Sequence, residues 1–389
     1  MEIIDTERVP LYVFTDPKNL EEDCLQQARN MSNLLPAYHH TALMPDAHIG
    51  YGMPIGGVLA LEAAICPNAV GVDIGCGMAY VSTDFPAAEA AEEKLQHFTG
   101  QVMRAVPMGF RVHDKVQAGS GFLDKNLLPP ELEHEVKRAK KSLGTLGGGN
   151  HFVDVLKTDE GSVSLMVHTG SRHFGYAIAE HFHKKAQKQC QKRGLDLPDW
   201  DLAYLDLETG DAQAYIQAMQ LAMKFARENR RRILKVAKRI FEETFGPVEF
   251  GEQLNAHHNY AALEEHFGKE VWVHRKGAIR AREGETVIVP GSLGTNSYIG
   301  KGLGTPDSFE SCAHGAGRTM GRKEAKRKYS VQEVMEDIKE RGVVLGKAKK
   351  SDIPEESPWA YKDIESVVED QKSLAKMEIT LTPLAVVIA

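Results

Sequence analysis

The stretch NAVGVDIGCGMAYVS, residues 68–82, sets Asp73 and Cys76 three apart among glycines, just after a short apolar run. One thiol and one carboxylate are too few donors to close a metal sphere, so the remaining ligands must lie elsewhere in the chain. Four histidines stand in comparable surroundings. His151 ends the glycine loop GGGNH, His168 ends the apolar run SLMVH, His258 sits in NAHHN, and His314 sits between small residues in SCAHGAGR. Each lies at the edge of a structured element, where a stiff backbone can aim an imidazole. For any single histidine the alternative is a hydrogen-bonded core or turn residue. Taken together with Asp73 and Cys76, the set has a definite chemistry. A thiolate bridges two cations while imidazole and carboxylate complete separate spheres. Such donors suit manganese, zinc, cobalt or nickel better than magnesium or calcium. Two adjacent cations neutralise phosphates and polarise a phosphorus centre.

The rest of the chain must position these groups. It has 389 residues, 42% hydrophobic and 26% charged, enough for a sizeable core. The net charge of -7 excludes a wholesale basic surface, so any nucleic-acid contact uses a local patch. Five cysteines without a CxxC pair argue against a secreted disulfide scaffold. An acidic start, MEIIDTERVP, and short apolar runs predict neither a signal peptide nor a membrane span, hence a reduced, cytoplasmic protein.

Helices are predicted from Asn19, as N-cap, to about Asn33, over 86–97, and from Glu131 to Ser142. The strongest runs from Asp211 to Thr244, with apolar residues at 215, 219, 222, 226, 233, 237 and 240 and an outer face carrying Lys224, Arg227, Arg230, Arg231, Arg232, Lys235, Lys238 and Arg239. That face is either solvated or one wall of a phosphate groove. Residues 271–305 read as strands with glycine turns. A capping box pairs Ser330 with Glu333, and a helix over 361–376 precedes a tail strand, TLTPLAVVIA. SVSLMVHTGSRHFG reads as a buried strand entering a turn. The mixture predicts one α+β domain, and neither GxGxxG nor GxxxxGK[ST] is present.

The series MPDAHIGYGMPIGG, GVDIGCG, LGTLGGGNHF, HTGSRHFG, HHN, VHRKGAIRA, PGSLGTNSY, CAHGAGR and AYKD, in this order, resembles the RtcB family of RNA ligases over nearly the whole chain. The resemblance implies one large RtcB-like catalytic domain over residues 1–389, with helices and turn-broken strands around a central metal and nucleotide cleft. It implies joining of RNA 2′,3′-cyclic phosphate or 3′-phosphate ends to 5′-hydroxyl ends, in RNA repair and tRNA splicing. His314 would be the nucleophile that takes GMP from GTP. Two manganese ions would be held by Asp73, Cys76, His151, His168 and His258. Cys76 would bridge them, with Asp73 and His151 completing one sphere and His168 and His258 the other. Asn150, Asp154, Ser292, Ser297, Ala316, Gly317 and Tyr361 fall at nucleotide-contacting positions. Implied partners are broken RNA and GTP, with room for an accessory activating protein and none for a membrane.

Two positions depart from the family pattern. Asp154 stands where many relatives carry a glutamate, and Ile388 stands where they carry a penultimate lysine that contacts guanine. Arg275, Arg280 and Arg318 are candidates for the RNA strand, as are Arg322 and Lys323; His257, His173 and His48 are secondary candidates. Two rival readings remain: a metal-dependent phosphoesterase that stops after opening a cyclic phosphate, and a non-catalytic RNA-binding homologue. His314 discriminates the first, because a hydrolase has no need of a further glycine-bracketed histidine.

Overall fold

The computed structural model describes residues 1–347 and 349–388. Two sheets and eight helices carry the fold among these residues. One sheet has six strands in the order Glu2–Ile4, Leu11–Val13, Ala37–His48, Ile55–Leu61, Lys269–Lys276 and Asn259–His266. The second runs Leu254–His257, Gly77–Pro86, Ser162–Thr169, Phe152–Thr158, Ala375–Ile388, Ser297–Gly302 and Thr286–Val289, with Val344–Lys347 added in parallel beside Ala375–Ile388. Nearly all pairings are antiparallel, and the helices lie beside the sheets rather than alternating with single strands. The expected α+β class therefore holds for one domain. Among the described residues no helix is long and apolar enough to cross a membrane.

The helices are α1 (Glu22–Ser32), α2 (Glu92–Ala105), α3 (Glu135–Ser142), α4 (Arg172–Lys192), α5 (Gly210–Phe245), α6 (Arg322–Lys328), α7 (Val331–Glu340) and α8 (Ile364–Asp370). The long helix α5 matches its apolar period: Tyr215, Met219, Ala222, Ala226, Ile233, Ala237 and Ile240 are all buried. Thr209 caps it by accepting from the Ala212 amide. The capping box of α7 is present as Ser330 and Glu333.

Several boundaries differ from the sequence expectation. Asn19 is not a cap: Pro17–Asn19 form a separate short turn, and α1 starts at Glu22. The 86–97 helix begins only at Glu92. The 361–376 helix shrinks to α8, because residues from Ala375 onward join the sheet by pairing with Ser297–Gly302. Ala389, at the end of the expected tail strand, lies outside the described residues. Helix α4 was hidden by its start in the glycine-bounded HTGSRHFG, although Phe174, Ile178, Phe182, Ala186 and Cys190 give it a buried stripe.

One residue of the supposed outer face of α5 points inward. Arg230 is fully buried. Its Nη1 donates to the carbonyls of Gly75 and Thr169, both at 2.8 Å, and its Nη2 donates to Asn255 Oδ1 at 2.9 Å. Position 230 falls between Ala226 and Ile233 on the buried stripe, so the 3.6-residue period already placed it inside. Burial lowers its pKa to about 10, which still leaves it charged at neutral pH. Arg230→Met should leave two buried carbonyls without a donor. At about 1–3 kcal/mol each, the loss expected in urea unfolding is about 2–6 kcal/mol. An unchanged midpoint would show that other donors replace the guanidinium.

Candidate metal centre and cleft

Strand register assembles the cluster. Cys76 follows a tight turn in which its amide donates to the Asp73 carbonyl at 3.0 Å, and it immediately precedes the strand Gly77–Pro86. In the neighbouring strand His168 lies opposite Met78 on one side and Phe152 on the other. His151 directly precedes Phe152. His258 sits in the link between two strands, its amide donating to the Cys76 carbonyl at 2.9 Å. Neighbouring strands lie about 4.8 Å apart, so side chains at adjacent strand ends converge. Gly170 keeps the approach open: a Cβ there would lie 2.3 Å from the Asp73 carboxylate oxygens.

Two ligand triads result, Asp73–Cys76–His151 and Cys76–His168–His258, each with its donor atoms within 4.8 Å of one another. Cys76 belongs to both, as the resemblance implied. Its Sγ lies 3.5 Å from His151 Nε2 and 3.3 Å from His168 Nε2. His168 Nε2 lies 3.3 Å from His258 Nε2, and His151 Nε2 lies 3.1 Å from Asp73 Oδ2. The Nδ1 atoms of His151 and His168 meet the carbonyls of Leu146 at 3.0 Å and Asn150 at 2.8 Å. A ring that donates from Nδ1 to a carbonyl turns the Nε2 lone pair inward, which is how a metal-ligating imidazole is held.

The electrostatics fit a cation. Burial, then the Asp73 charge, pushes the Cys76 thiol well above its ordinary value. Burial also holds His168 and His258 well below theirs, keeping both imidazoles neutral, with the neighbouring imidazoles adding to the effect. Burial raises the Asp73 carboxyl, but its hydrogen bond and charge interaction with His151 outweigh that and leave it low. Neutral imidazoles, a carboxylate and a thiol that only a cation would deprotonate form a donor set suited to soft or borderline divalent metal. The residues present therefore fit the metal pair.

The cluster opens into a cleft of about 790 Å³. His314 lies on its wall, with its ring centroid 4.8 Å from that of His258. Asp46, fully buried, holds His314 twice: Oδ2 accepts from the backbone amide at 3.0 Å and lies 2.6 Å from Nδ1. Nε2 is thereby the nitrogen left to react. Gly317, at φ +70°, packs where a Cβ would come within 2.1 Å of the Asp46 carbonyl, so this loop can seat His314 only with glycine there.

Asn150, Asp154, Ser292, Ala316, Gly317 and Tyr361 also line the cleft. Asp154 is buried with Oδ1 unpartnered, and burial pushes its carboxyl well above the usual range. An orphaned acceptor on a cleft wall suits a ligand donor. Tyr361 donates to the buried Glu356, which also takes Arg318 at 3.3 Å and Arg322 at 3.0 Å. Ser297 does not line the cleft; its Oγ accepts from the Gly291 amide at 3.0 Å and shapes the 291–296 loop instead. Ile388 does line it, in register with Phe152 on one side and Lys347 on the other.

The three arginines proposed for RNA part company. Arg318 is on the cleft. Arg280 pairs with Glu285 at 2.7 Å and borders a second cavity of about 460 Å³. Arg275 is fully buried and forks onto Glu264 at 2.7 and 2.9 Å, so its guanidinium is unavailable to a strand at the surface. That corrects its assignment: VHRK ends the strand Lys269–Lys276 of the six-stranded sheet, in which residues 271–276 are all buried, and AIR continues into a separate pairing with Ser311–Ala313. Sequence reasoning gave no role to Asp46 or Glu356. Asp46 lay within a motif that had been noted, whereas nothing local marks Glu356.

These features define an α+β protein built around a buried His/Cys/Asp cluster able to chelate metal, beside a ligand-sized cleft. A family profile described as tRNA-splicing ligase RtcB matches residues 27–130 and 118–389. The chain is 36% identical to the RNA-splicing ligase RtcB of Escherichia coli K12, over 98% of this chain and 97% of that protein. It is 34% identical to the tRNA-splicing ligase RtcB of Pyrobaculum aerophilum, over 98% and 95%, and 30% identical to the RNA-splicing ligase RtcB of Mycobacterium bovis, over 93% and 99%. The chain belongs to the RtcB family of RNA ligases.

Cys76→Ala removes the one donor shared by both triads, so the divalent metal retained after loading with manganese or zinc, read by elemental analysis, should fall below that of the parent. In the parent, a divalent cation at a hundred times its Kd should add about 2.7 kcal/mol to unfolding stability. A Cys76→Ala protein that retains as much metal as the parent would show that the shared sulfur is not a ligand.

Proposed function

We propose that the chain, acting over residues 1–389 as one catalytic domain, joins RNA ends bearing a 2′,3′-cyclic phosphate or 3′-phosphate to 5′-hydroxyl ends, using GTP and a covalent His314–GMP intermediate. The observation that carries this reading is the Asp46–His314 pair beside the metal cluster. An imidazole fixed through Nδ1 by a buried carboxylate, with Nε2 facing a cleft, is arranged as a nucleophile rather than as a ligand. A phosphoesterase built on the same five ligands would have no use for it.

The chemistry follows from the leaving group. A 3′-phosphate has none suited to attack by a hydroxyl. His314 Nε2 attacks the α-phosphorus of GTP, forming an N–P bond as the bond to pyrophosphate breaks. Asp46 keeps the Nδ1 proton and stabilises the positive ring that forms. An oxygen of the RNA 3′-phosphate then attacks the same phosphorus, freeing His314 and leaving a 3′–5′ phosphoanhydride with GMP. The 5′-hydroxyl attacks the RNA phosphorus, the diester forms, and GMP departs. Bound at Asp73, Cys76, His151, His168 and His258, two manganese ions would supply charge neutralisation and a lowered pKa for the attacking hydroxyl, or for the water that opens a cyclic phosphate. Asn150 and Arg318, which line the cleft, would serve phosphate oxygens, and Asp154 would accept from base donors.

Labelling from α-labelled GTP should be acid-labile and alkali-stable, as a histidine phosphoramidate is. His314→Ala should abolish it with metal content intact. Label persisting in that variant would assign the carrier to another residue. Asp46→Asn should slow labelling by about a hundredfold or more while metal content holds, since it removes the charge that stabilises the ring. An unchanged rate would deny Asp46 its orienting role.

Ile388 bears on nucleotide choice. Its side chain offers no donor where family members carry lysine, and a charge-assisted hydrogen bond contributes about 1.5–3 kcal/mol. Ile388→Lys should tighten GTP binding roughly tenfold to a hundredfold and sharpen the preference for GTP over ATP. If the parent already discriminates as steeply as lysine-ended relatives and the variant does not improve on it, another group has taken over the contact.

A further inference from the structure

Phe110 is 97% exposed, more than any other large apolar side chain described. It does not hang on a loose loop. The preceding Gly109 donates its amide to the Gly147 carbonyl at 2.7 Å and accepts from Arg172 Nη2 at 2.5 Å. Gly147 itself lies against the ring of His151: a Cβ there would stand 2.7 Å from His151 Nδ1. Farther along, His113 and Gln117 donate to the carbonyls of Lys141 and Lys140 at 3.0 and 3.1 Å, and Arg232 Nη2 donates to the Ala118 carbonyl at 2.7 Å. The segment 109–121 is therefore pinned between the glycine loop of the metal centre, α3 and α5.

The charge around it is one-sided. Residues 109–121 and α3 carry Arg111, Lys115, Lys137, Arg138, Lys140 and Lys141 against only Asp114 and Glu135, in a chain of net charge -7. Glu135 is taken by His134 at 3.2 Å and His173 at 3.5 Å, and none of the six cations forms an ion pair among the described residues. Arg111, Lys115, Lys137 and Arg138 are exposed. Arg138 lies near enough to Arg172 for its charge to add to the lowering of that residue's pKa, behind the larger effect of burial. The Gly109–Gly147 hydrogen bond sets this segment beside His151, at the edge of the metal centre.

An exposed aromatic ring on a rigid backbone, flanked by uncompensated cations, is a stacking platform for single-stranded nucleic acid. We propose that Phe110 stacks on a base of the RNA substrate, and that Arg111, Lys115 and Arg138 hold the backbone of that strand as it leads to the metal centre. The inference rests on the ligase reading, which requires an RNA phosphate at the cluster, and it adds where the strand runs. The cost of ordering the platform is already met by the fold, so stacking energy appears as affinity.

The test is direct binding of a fluorescein-labelled single-stranded RNA ending in a 3′-phosphate, with manganese and without GTP, to the full chain. Phe110→Ala should weaken binding roughly five- to hundredfold, and Phe110→Trp should retain it. Joint replacement of Arg111, Lys115 and Arg138 by Gln should make the fall of log affinity with log salt shallower by about two, at about 0.7 per single-strand phosphate contact. GTP labelling of His314 should be unchanged in every variant. RNA affinity and salt dependence equal to the parent in both the Phe110→Ala and the triple variant would overturn the proposal and assign the surface to a protein partner. Failure of the ligase reading would register separately, as absent label in the parent.

Discussion

A thiol, a carboxylate and three imidazoles meet in the interior with few partners other than each other, and the rest of the structure accommodates that fact. Burying such groups is unfavourable unless each finds a partner. Here the partners that would satisfy them best are cations, and the protein supplies only the anchoring half of the bargain: carbonyls on the Nδ1 side of His151 and His168, and the Arg230 guanidinium bound to the carbonyls of Gly75 and Thr169. Arg230 tethers the turn before Cys76 to the end of the His168 strand. Helix α5 is thus as much a strut for the cluster as a packing element.

The division of labour around the cleft follows from burial. Asp46 is wholly inside and makes two contacts to His314, so the orientation of that ring is set by the fold. Glu356, also buried, gathers Tyr361, Arg318 and Arg322 into one network and so ties the segment after α7 to the cleft wall. Asp154 carries a buried Oδ1 without a partner, as Asp46 does, and an orphaned acceptor on the cleft wall suits a ligand donor.

Departures from family pattern also acquire a physical setting. The tail strand is held on both sides, by Phe152–Thr158 and by Val344–Lys347, so Ile388 has no freedom to move away from the cleft. An apolar side chain at that wall makes the cleft locally more hydrophobic beside Phe152 and Val386.

The types and surroundings of residues were enough to single out Asp73, Cys76, His151, His168, His258 and His314, because donors of matched softness bracketed by glycine have few uses. The period of α5 and the capping box of α7 were equally legible, since both are local. What sequence could not decide was anything set by contacts distant along the chain. Arg275 looks like a surface cation, yet it is buried and forked onto Glu264; Arg230 sat on the apolar period of α5, but only the fold supplies the backbone carbonyls that it binds. The helix expected through residue 376 gave way to strand because pairing with Ser297–Gly302 outweighs local preference. The sharing of Cys76 between two triads came from a family resemblance, not from spacing. It became a physical statement only when antiparallel register set the ends of three strands side by side, within reach of a single sulfur.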